Sequence, residues 1–409
     1  MKNIRVSLFP CAYNEVDGVG NTMRHFDAFA KASQLPLLNI HGGFEDYCQQ
    51  DGSVQRLELR RAWPKFQLDP MHDYDLNLWR YLPKVESAVR DFRPDLIHIT
   101  GPSDVGQMGA LIAHRLRIPL VASWHTNVHE YAERRLAPVL GFLPRTGTEA
   151  LGREVRQLSL KLLGRFYRLA RVLFAPNEEL VSELQTLTGK RCYLMSRGID
   201  TELFNPERRK RVDGQFQIGY VGRLTKEKNV RLLGELENVL SARTGRDFNI
   251  VVVGQGNEFA WLIRHLRRGR FAGVLFEKKL AEMYANFDVF AFPSYTDTFG
   301  NVVLEALAAG VPAVVMNQGG PRFIVEHEKS GFVAQNNREF IEYIDRLRRE
   351  PELLAQMRIA ARHRAQCAPS WHSVFSQVYE TYEKAAFDKS PAALPAGCPL
   401  ADSYSPPGR

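Results

Sequence analysis

The chain has 409 residues, 44% hydrophobic and 24% charged, with a net charge of +8. Such a composition belongs to a globular chain, and the length implies two domains rather than one. No apolar run reaches the roughly 18 residues of a membrane-spanning helix, and the five cysteines lack metal-type spacing, so they read as free thiols of a reducing compartment.

The start, Met1 to Pro10, carries an apolar run far shorter than the core of a signal peptide, so a cytoplasmic protein is expected. Short apolar runs then read as buried parallel strands at Ile4–Phe9, Pro36–Ile40, Asp95–Thr100, Pro119–Trp124, Val172–Ala175 and Cys192–Met195. Helical stretches such as Leu76–Phe92 and Gln107–Leu116 lie between them. The polar segment Asn205–Gly214, with Pro and Gly at its ends, suits an exposed linker. The pattern then repeats, with strands at Phe216–Val221, Phe248–Val253, Gly273–Phe276, Val289–Pro293 and Pro312–Met316. Alternating strands and helices make doubly wound α/β sheets, and two such halves make two Rossmann-like domains, 1–200 and 201–370. A last helix, Trp371–Ala386, carries Trp371, Phe375, Val378 and Tyr382 at helical spacing. The tail, residues 389–409, is rich in Pro, Gly, Ala and Ser and is expected to be disordered.

In open α/β sheets ligands sit beyond the carboxyl ends of the strands. Strand Val289–Pro293 leads through Ser294–Gly300 into a helix that Asn301 opens. The loop residues Thr298, Phe299 and Gly300 fall where unpaired N–H groups and a partial positive charge favour phosphate. Asp297 and Glu305, seven residues apart, flank that point. Phosphate would repel them, so they suit neutral hydroxyls, such as a sugar and a ribose on either side of a diphosphate. The plainer alternative makes Asp297 an N-cap and Glu305 a solvated helix residue. Glu305, however, lies in the mostly apolar Val-Val-Leu-Glu-Ala-Leu-Ala-Ala, where a bare acid is costly.

Strand Phe216–Val221 ends in Gly222-Arg-Leu-Thr-Lys-Glu-Lys-Asn229. Arg223 and Lys228 there make a phosphate clamp or a solvent-facing loop. Gly254-Gln-Gly256 allows a tight turn and close approach of a nucleotide, or is an ordinary turn. In the first half, Gly18 within Asp17-Gly-Val-Gly20 would let a substrate approach the backbone, or belongs to a flexible loop. His125 follows a strand and faces the cleft, as a functional or a structural histidine, whereas His98 lies inside a strand and reads as a core residue.

Residues 134–171 hold nine Lys/Arg against Glu149 and Glu154. A helix at Glu149–Arg171 would turn Leu151, Val155, Leu158, Leu162, Phe166 and Leu169 to one side and Arg153, Arg156, Lys161, Arg168 and Arg171 mostly to the other. Either the apolar stripe packs in the core, or the basic face also docks on an anionic membrane. No nucleic-acid module is visible.

The chain resembles glycosyltransferase family 4, retaining enzymes of the GT-B fold, over about residues 4–386. The likeness rests on Phe292–Pro312, Gly319-Gly-Pro321 and Ser330-Gly-Phe332. Supporting pieces are Asp17-Gly-Val, Asp95-Leu-Ile-His98, Ser123-Trp-His-Thr126, Arg197-Gly-Ile-Asp-Thr-Glu-Leu-Phe204 and Gly222–Lys228. The resemblance implies that Arg223 and Lys228 hold a donor diphosphate, with the amides of Thr298, Phe299 and Gly300 completing the site. It implies Asp297 on the donor sugar, Glu305 on the ribose, His125 near the reacting centre, and Gly18 beside phosphate and acceptor. Gly254 and Asn301 complete the expected donor site. It also implies an acceptor-binding first domain, a donor-binding second domain, and a helix at 371–388 packing back on the first. Neither metal nor cofactor is called for beyond the UDP- or GDP-linked sugar as co-substrate.

Two departures stand out. The first acid is Asp297 where Glu is commoner, and Arg197 precedes Gly198 where many members have Asn. The expected activity is transfer of a hexosyl group, mannosyl or glucosyl, to a lipid or lipid-linked glycan at the cytoplasmic membrane face. A nucleotide-sugar epimerase of the same architecture is the alternative. A dinucleotide oxidoreductase would rest on Gly254-Gln-Gly256 alone, and a non-catalytic sugar-nucleotide-binding subunit would leave Arg223, Lys228, Glu305 and His125 without a task.

Overall fold

The computed structural model describes residues 3–15, 17–62, 65–69, 72–75, 77–125, 157–211, 214–244 and 247–387. The expected tail and residues 126–156, with the start of the basic helix, lie outside the described residues.

The first half contributes β1 (Val6–Phe9), β2 (Leu37–Gly43), β3 (Tyr47–Asp51), β4 (Val54–Arg60), β5 (Lys65–Asp69), β6 (His72–Asp75), β7 (Leu96–Ile99), β8 (Leu120–Ser123), β9 (Val172–Ala175) and β10 (Arg191–Leu194). Eight of these form one sheet in the order β10-β9-β8-β7-β1-β2-β4-β3, and β5 pairs with β6 separately. Pairing in the large sheet is parallel except for β3, which runs antiparallel to β4 at the edge.

The second half contributes β11 (Phe216–Val221), β12 (Phe248–Val253), β13 (Gly269–Gly273), β14 (Val289–Phe292), β15 (Ala313–Met316) and β16 (Gly331–Ala334). They form a parallel sheet in the order β13-β12-β11-β14-β15-β16. The direction of winding reverses between β11 and β14, which pair at Ile218 and Val289. That reversal opens a crevice at the carboxyl edge, the usual ligand position in a doubly wound sheet.

The central strands are short runs of Val, Ile, Phe and Ala, buried on both faces by helices. The predicted strand Gly273–Phe276 is corrected by this sheet. The observed strand, β13, ends at Gly273, whose φ of 67° turns the chain out of extended geometry. Phe276 instead caps the next helix and is exposed. The stretch Leu76–Phe92 is helical from Leu78, as a 3-10 turn at Leu78–Tyr81 that runs into the helix Leu82–Phe92, with Pro83 in its first turn, where the missing N–H costs nothing.

The final helix, Trp371–Phe387, returns to the first half. It buries Val374, Phe375, Val378, Tyr379 and Tyr382 against the helix Gly18–Ala32, with Phe26 edge-on to Phe375 at 5.0 Å between centroids. The chain therefore crosses between the halves twice, and the two crossings touch. Ile199 N–H donates to the Pro369 carbonyl at 3.3 Å. Gly198 lies so close to Trp371 that a Cβ would sit 2.2 Å from its backbone nitrogen.

The basic helix is observed at residues 157–167, and its inward face differs from the expected one. Leu163, Tyr167 and Ala170 pack into the core, whereas Leu158, Leu162 and Leu169 are 59%, 55% and 62% exposed. Of the predicted stripe, Leu158, Leu162 and Leu169 lie on the outer face, Phe166 packs against the core, and Leu151 and Val155 lie outside the described residues. The inward contact uses the small Gly164 and Ala170 for close approach, Gly164 meeting Leu187.

Candidate functional site

β14 ends in the loop that leads to the helix Asn301–Ala308. Its N-cap is Gly300, at φ 98° and with no side-chain cap, so Asp297 is not the capping residue. Asp297 instead accepts a hydrogen bond from Lys228 Nζ at 2.5 Å. Its second oxygen, Oδ2, is buried without a partner among the described residues. The loop is clamped from behind, where Gly320 N–H donates to the Asp297 carbonyl at 2.6 Å. A Cβ on Gly320 would lie 2.2 Å from Thr298 O, so only glycine lets these loops meet.

Lys228 comes from the loop after β11, on the other side of the winding reversal. A 3-10 turn at Lys226–Lys228 ends in Asn229 at φ 51° and aims Lys228 inward. The Arg223 carbonyl accepts from the Tyr220 hydroxyl at 2.8 Å. Burial pushes the Tyr220 hydroxyl far above its ordinary pKa; the Asp297 charge adds to this and the Arg223 charge opposes it. Both charges thus act on one buried point. Gly254, at φ 133°, packs against Gly222, whose carbonyl would be 2.0 Å from a Cβ. Its close approach is to the neighbouring loop, which it holds beside Arg223.

Glu305 lies on the helix after Asn301, half-buried, and accepts from the Tyr284 hydroxyl at 2.9 Å. Burial lifts its carboxyl from 4.5 to about 7, with the Tyr284 hydrogen bond opposing the rise.

The first half meets this loop through the carboxyl ends of its own strands. His125 follows β8, and its carbonyl accepts from Thr298 Oγ1 at 2.7 Å. Asn177 follows β9, and its amide donates to the Thr298 carbonyl at 2.7 Å. Asn301 Nδ2 lies 3.4 Å from the Gly18 carbonyl, after β1. The carboxyl edges of the two sheets therefore face each other. The His125 ring is buried, with Nε2 2.6 Å from Ser123 Oγ and Nδ1 2.8 Å from Arg197 Nη2. Burial and the Arg197 charge hold it well below the ordinary histidine pKa, so it is neutral. Phe299 faces Arg197, whose guanidinium carbon is 5.9 Å from the ring centroid.

The structure thus gathers Arg223, Lys228, Asp297, Thr298, Phe299, Gly300, Asn301 and Glu305 on two adjacent loops and one helix. Gly18 and His125 reach this group through backbone oxygens. Sequence reasoning missed Asn177, Tyr284 and Ser123. Asn177 sits at a strand's carboxyl end and caps the next helix through Leu180 N–H, so the strand-end rule was signal enough to find it. Tyr284 carried no such signal, because it lies in the last turn of a helix, away from any strand's carboxyl end.

Comparison with known proteins bears on the family and the fold. Residues 47–203 match the family described as Glycosyltransferase Family 4, and residues 202–364 match Glycosyl transferases group 1. A GDP-mannose-dependent alpha-mannosyltransferase of Corynebacterium glutamicum is 28% identical over 374 residues, covering 89% of this chain and 83% of that protein. One of the same name from Mycobacterium tuberculosis is 32% identical over 253 residues, covering 60% of this chain and 61% of its own. Among solved structures, a sucrose-phosphate synthase from Thermosynechococcus elongatus superposes with a TM-score of 0.71 at 18% identity. That superposition covers 93% of this chain and 98% of the synthase, and shows the shared fold.

Proposed function

We propose a specific mannosyl transfer for this enzyme, since the chain belongs to the GT-B glycosyltransferases, of family 4 and group 1. The donor is GDP-mannose, and the mannosyl group passes to a hydroxyl of a lipid or lipid-linked glycan with its α configuration kept. The observation that carries the reading is the Lys228–Asp297 pair beside the helix start at Gly300, at the winding reversal of the second sheet. The donor follows the names of the two mannosyltransferase relatives.

In this reading the diphosphate lies against the amides of Thr298, Phe299 and Gly300, with Arg223 and Lys228 on its far side. The unpartnered Asp297 Oδ2 accepts from a sugar hydroxyl, and Glu305 accepts from the ribose. The acceptor oxygen bonds to the anomeric carbon on the face the diphosphate leaves. The bond to the phosphate oxygen breaks, and that oxygen takes the acceptor's proton. Positioning and charge stabilisation supply the rate, with the helix start and the two basic side chains offsetting the leaving group in place of a metal.

The acceptor class rests on the helix at residues 157–167. Its exposed Leu158, Leu162 and Leu169 run beside exposed Lys161, Arg165 and Arg168, an apolar band with a basic margin that suits an anionic lipid surface of the cytoplasmic face. No helix among the described residues is long and apolar enough to cross a membrane.

The test is incubation with GDP-mannose, UDP-glucose and UDP-galactose, each with and without a lipid extract. Acceptor-dependent release of GDP from GDP-mannose is expected. Release from a UDP-sugar alone would overturn the donor, and a changed sugar nucleotide with no acceptor present would favour the epimerase. Failure to co-sediment with anionic vesicles at low salt would remove the lipid surface.

A further inference from the structure

His125 is held by a chain of buried polar groups that the transfer reaction does not itself require. Arg197 Nη2 meets Nδ1 at 2.8 Å, and Ser123 Oγ meets Nε2 at 2.6 Å. Beyond Ser123 stands His98, with Nε2 2.9 Å from Oγ. Beyond His98 stands Tyr382 of the last helix, its hydroxyl 2.5 Å from Nδ1. Each of these groups except Ser123 comes from a different element of the fold.

A guanidinium can donate but not accept. His125 Nδ1 must therefore accept and carry no proton, which leaves the ring proton on Nε2, donated to Ser123. Arg197 is itself buried and donates also to the Met195 carbonyl at 2.8 Å. It has no carboxylate partner among the described residues, and burial lowers it only to about 10, so it stays charged. A buried cation without an anion is costly, and its retention calls for a task.

The task lies on the other side of the same histidine. The His125 carbonyl accepts from Thr298 in the loop that presents the phosphate-binding amides. Arg197 also faces Phe299 in that loop. We propose that Arg197 is a positioning residue. It occupies Nδ1 and fixes His125 as one neutral tautomer, so that the His125 carbonyl holds Thr298, and with it the donor loop, in register with the first half. This rests on the donor role assigned above to Thr298, Phe299 and Gly300.

The groups that face the His125 ring or its partners are Arg197 after β10, Ser123 on β8, His98 on β7, Tyr382 on the last helix, and Tyr167, whose hydroxyl lies 3.5 Å from the Ser123 carbonyl. None is a carboxylate. Removing Arg197 therefore leaves Nδ1 without its donor, while burial still keeps the ring neutral.

The experiment uses the full chain with 15N-labelled histidine. In the wild type, His125 should carry its proton on Nε2 and show no titration between about pH 5.5 and pH 8. In Arg197→Met, Nδ1 loses its donor, so the ring should exchange between its two neutral tautomers. The donor KM should rise about tenfold as the loop at Thr298 loses its register. Arg197→Lys, which keeps a cationic donor, should restore the single tautomer and the wild-type KM. A wild-type proton on Nδ1 would overturn the proposal. So would an Arg197→Met ring that keeps the single Nε2-protonated tautomer, or one that loses it while the donor KM stays at the wild-type value. Wild-type protein that turns over no sugar nucleotide would instead overturn the donor reading, because the tautomer is read without substrate.

Discussion

Lys228 and Asp297 are joined by a 2.5 Å hydrogen bond that spans the winding reversal of the second sheet. The pair neutralises itself while the cleft holds no donor. A diphosphate would draw the ammonium toward its own oxygens and leave Asp297 free to take a sugar hydroxyl with both carboxylate oxygens. The two residues thus change partners together.

Lys228→Ala should therefore lower kcat by about 10²–10³, the loss seen when one stabilising donor is removed from a developing negative charge. The orphaned Asp297 should cost the fold about 1–3 kcal/mol, visible as a Tm drop of a few degrees without loss of secondary structure. Asp297→Glu adds one methylene and should redistribute kcat/KM among mannosyl and glucosyl donors rather than abolish turnover. An unchanged donor ratio would mean that preference is set elsewhere.

Glu305 gives the reaction a pH dependence of known sign. Its carboxyl is protonated below about 7 and ionised above it. Ribose hydroxyls donate best to the ionised form, so the donor KM should fall as pH rises through 7. Tyr284→Phe removes a hydrogen bond that favours the carboxylate and should move that midpoint upward. Glu305→Gln should flatten the profile. For stability the sign is opposite. A carboxyl raised from 4.5 to about 7 on folding stabilises the fold below 4.5 and loses that contribution as pH climbs to 7. Thermal melts across that range, wild type against Glu305→Gln, measure it.

Gly320→Ala should damage the donor site without touching any ligand. Its backbone is helical, so conformation permits alanine, but the new methyl would meet Thr298 O at 2.2 Å. The loop must move, at a cost of about 1–3 kcal/mol. Donor KM should rise with it, and a melt combined with isothermal titration of GDP separates the two effects.

The sheets were largely legible because their central strands are short runs of β-branched and aromatic residues. β9, β11 and β12 have the bounds that those runs imply. The edges were not. β13 carries Arg270 and β3 is mostly polar, because an edge strand has one side in water and needs no continuous apolar run. The donor loop was legible as a strand-end motif. The setting of His125 was not, since Arg197 lies 72 residues from it and Tyr382 lies 284 residues from His98. Helical spacing located the stripe on the basic helix, but periodicity cannot say which side the core takes when both carry leucine.

The paired crossings at Gly198–Ile199 and Pro369–Trp371 bear on how the cleft works. One thread between two bodies lets them swivel, whereas two bonded threads behave as a door hinge with a single permitted swing. Each opening to admit substrate or release product would then retrace one arc. Thr298 would then return to the same carbonyl on every cycle without having to search for it. A bulkier residue at Gly198 would spread the threads and loosen that arc, turning a repeatable stroke into a wobble.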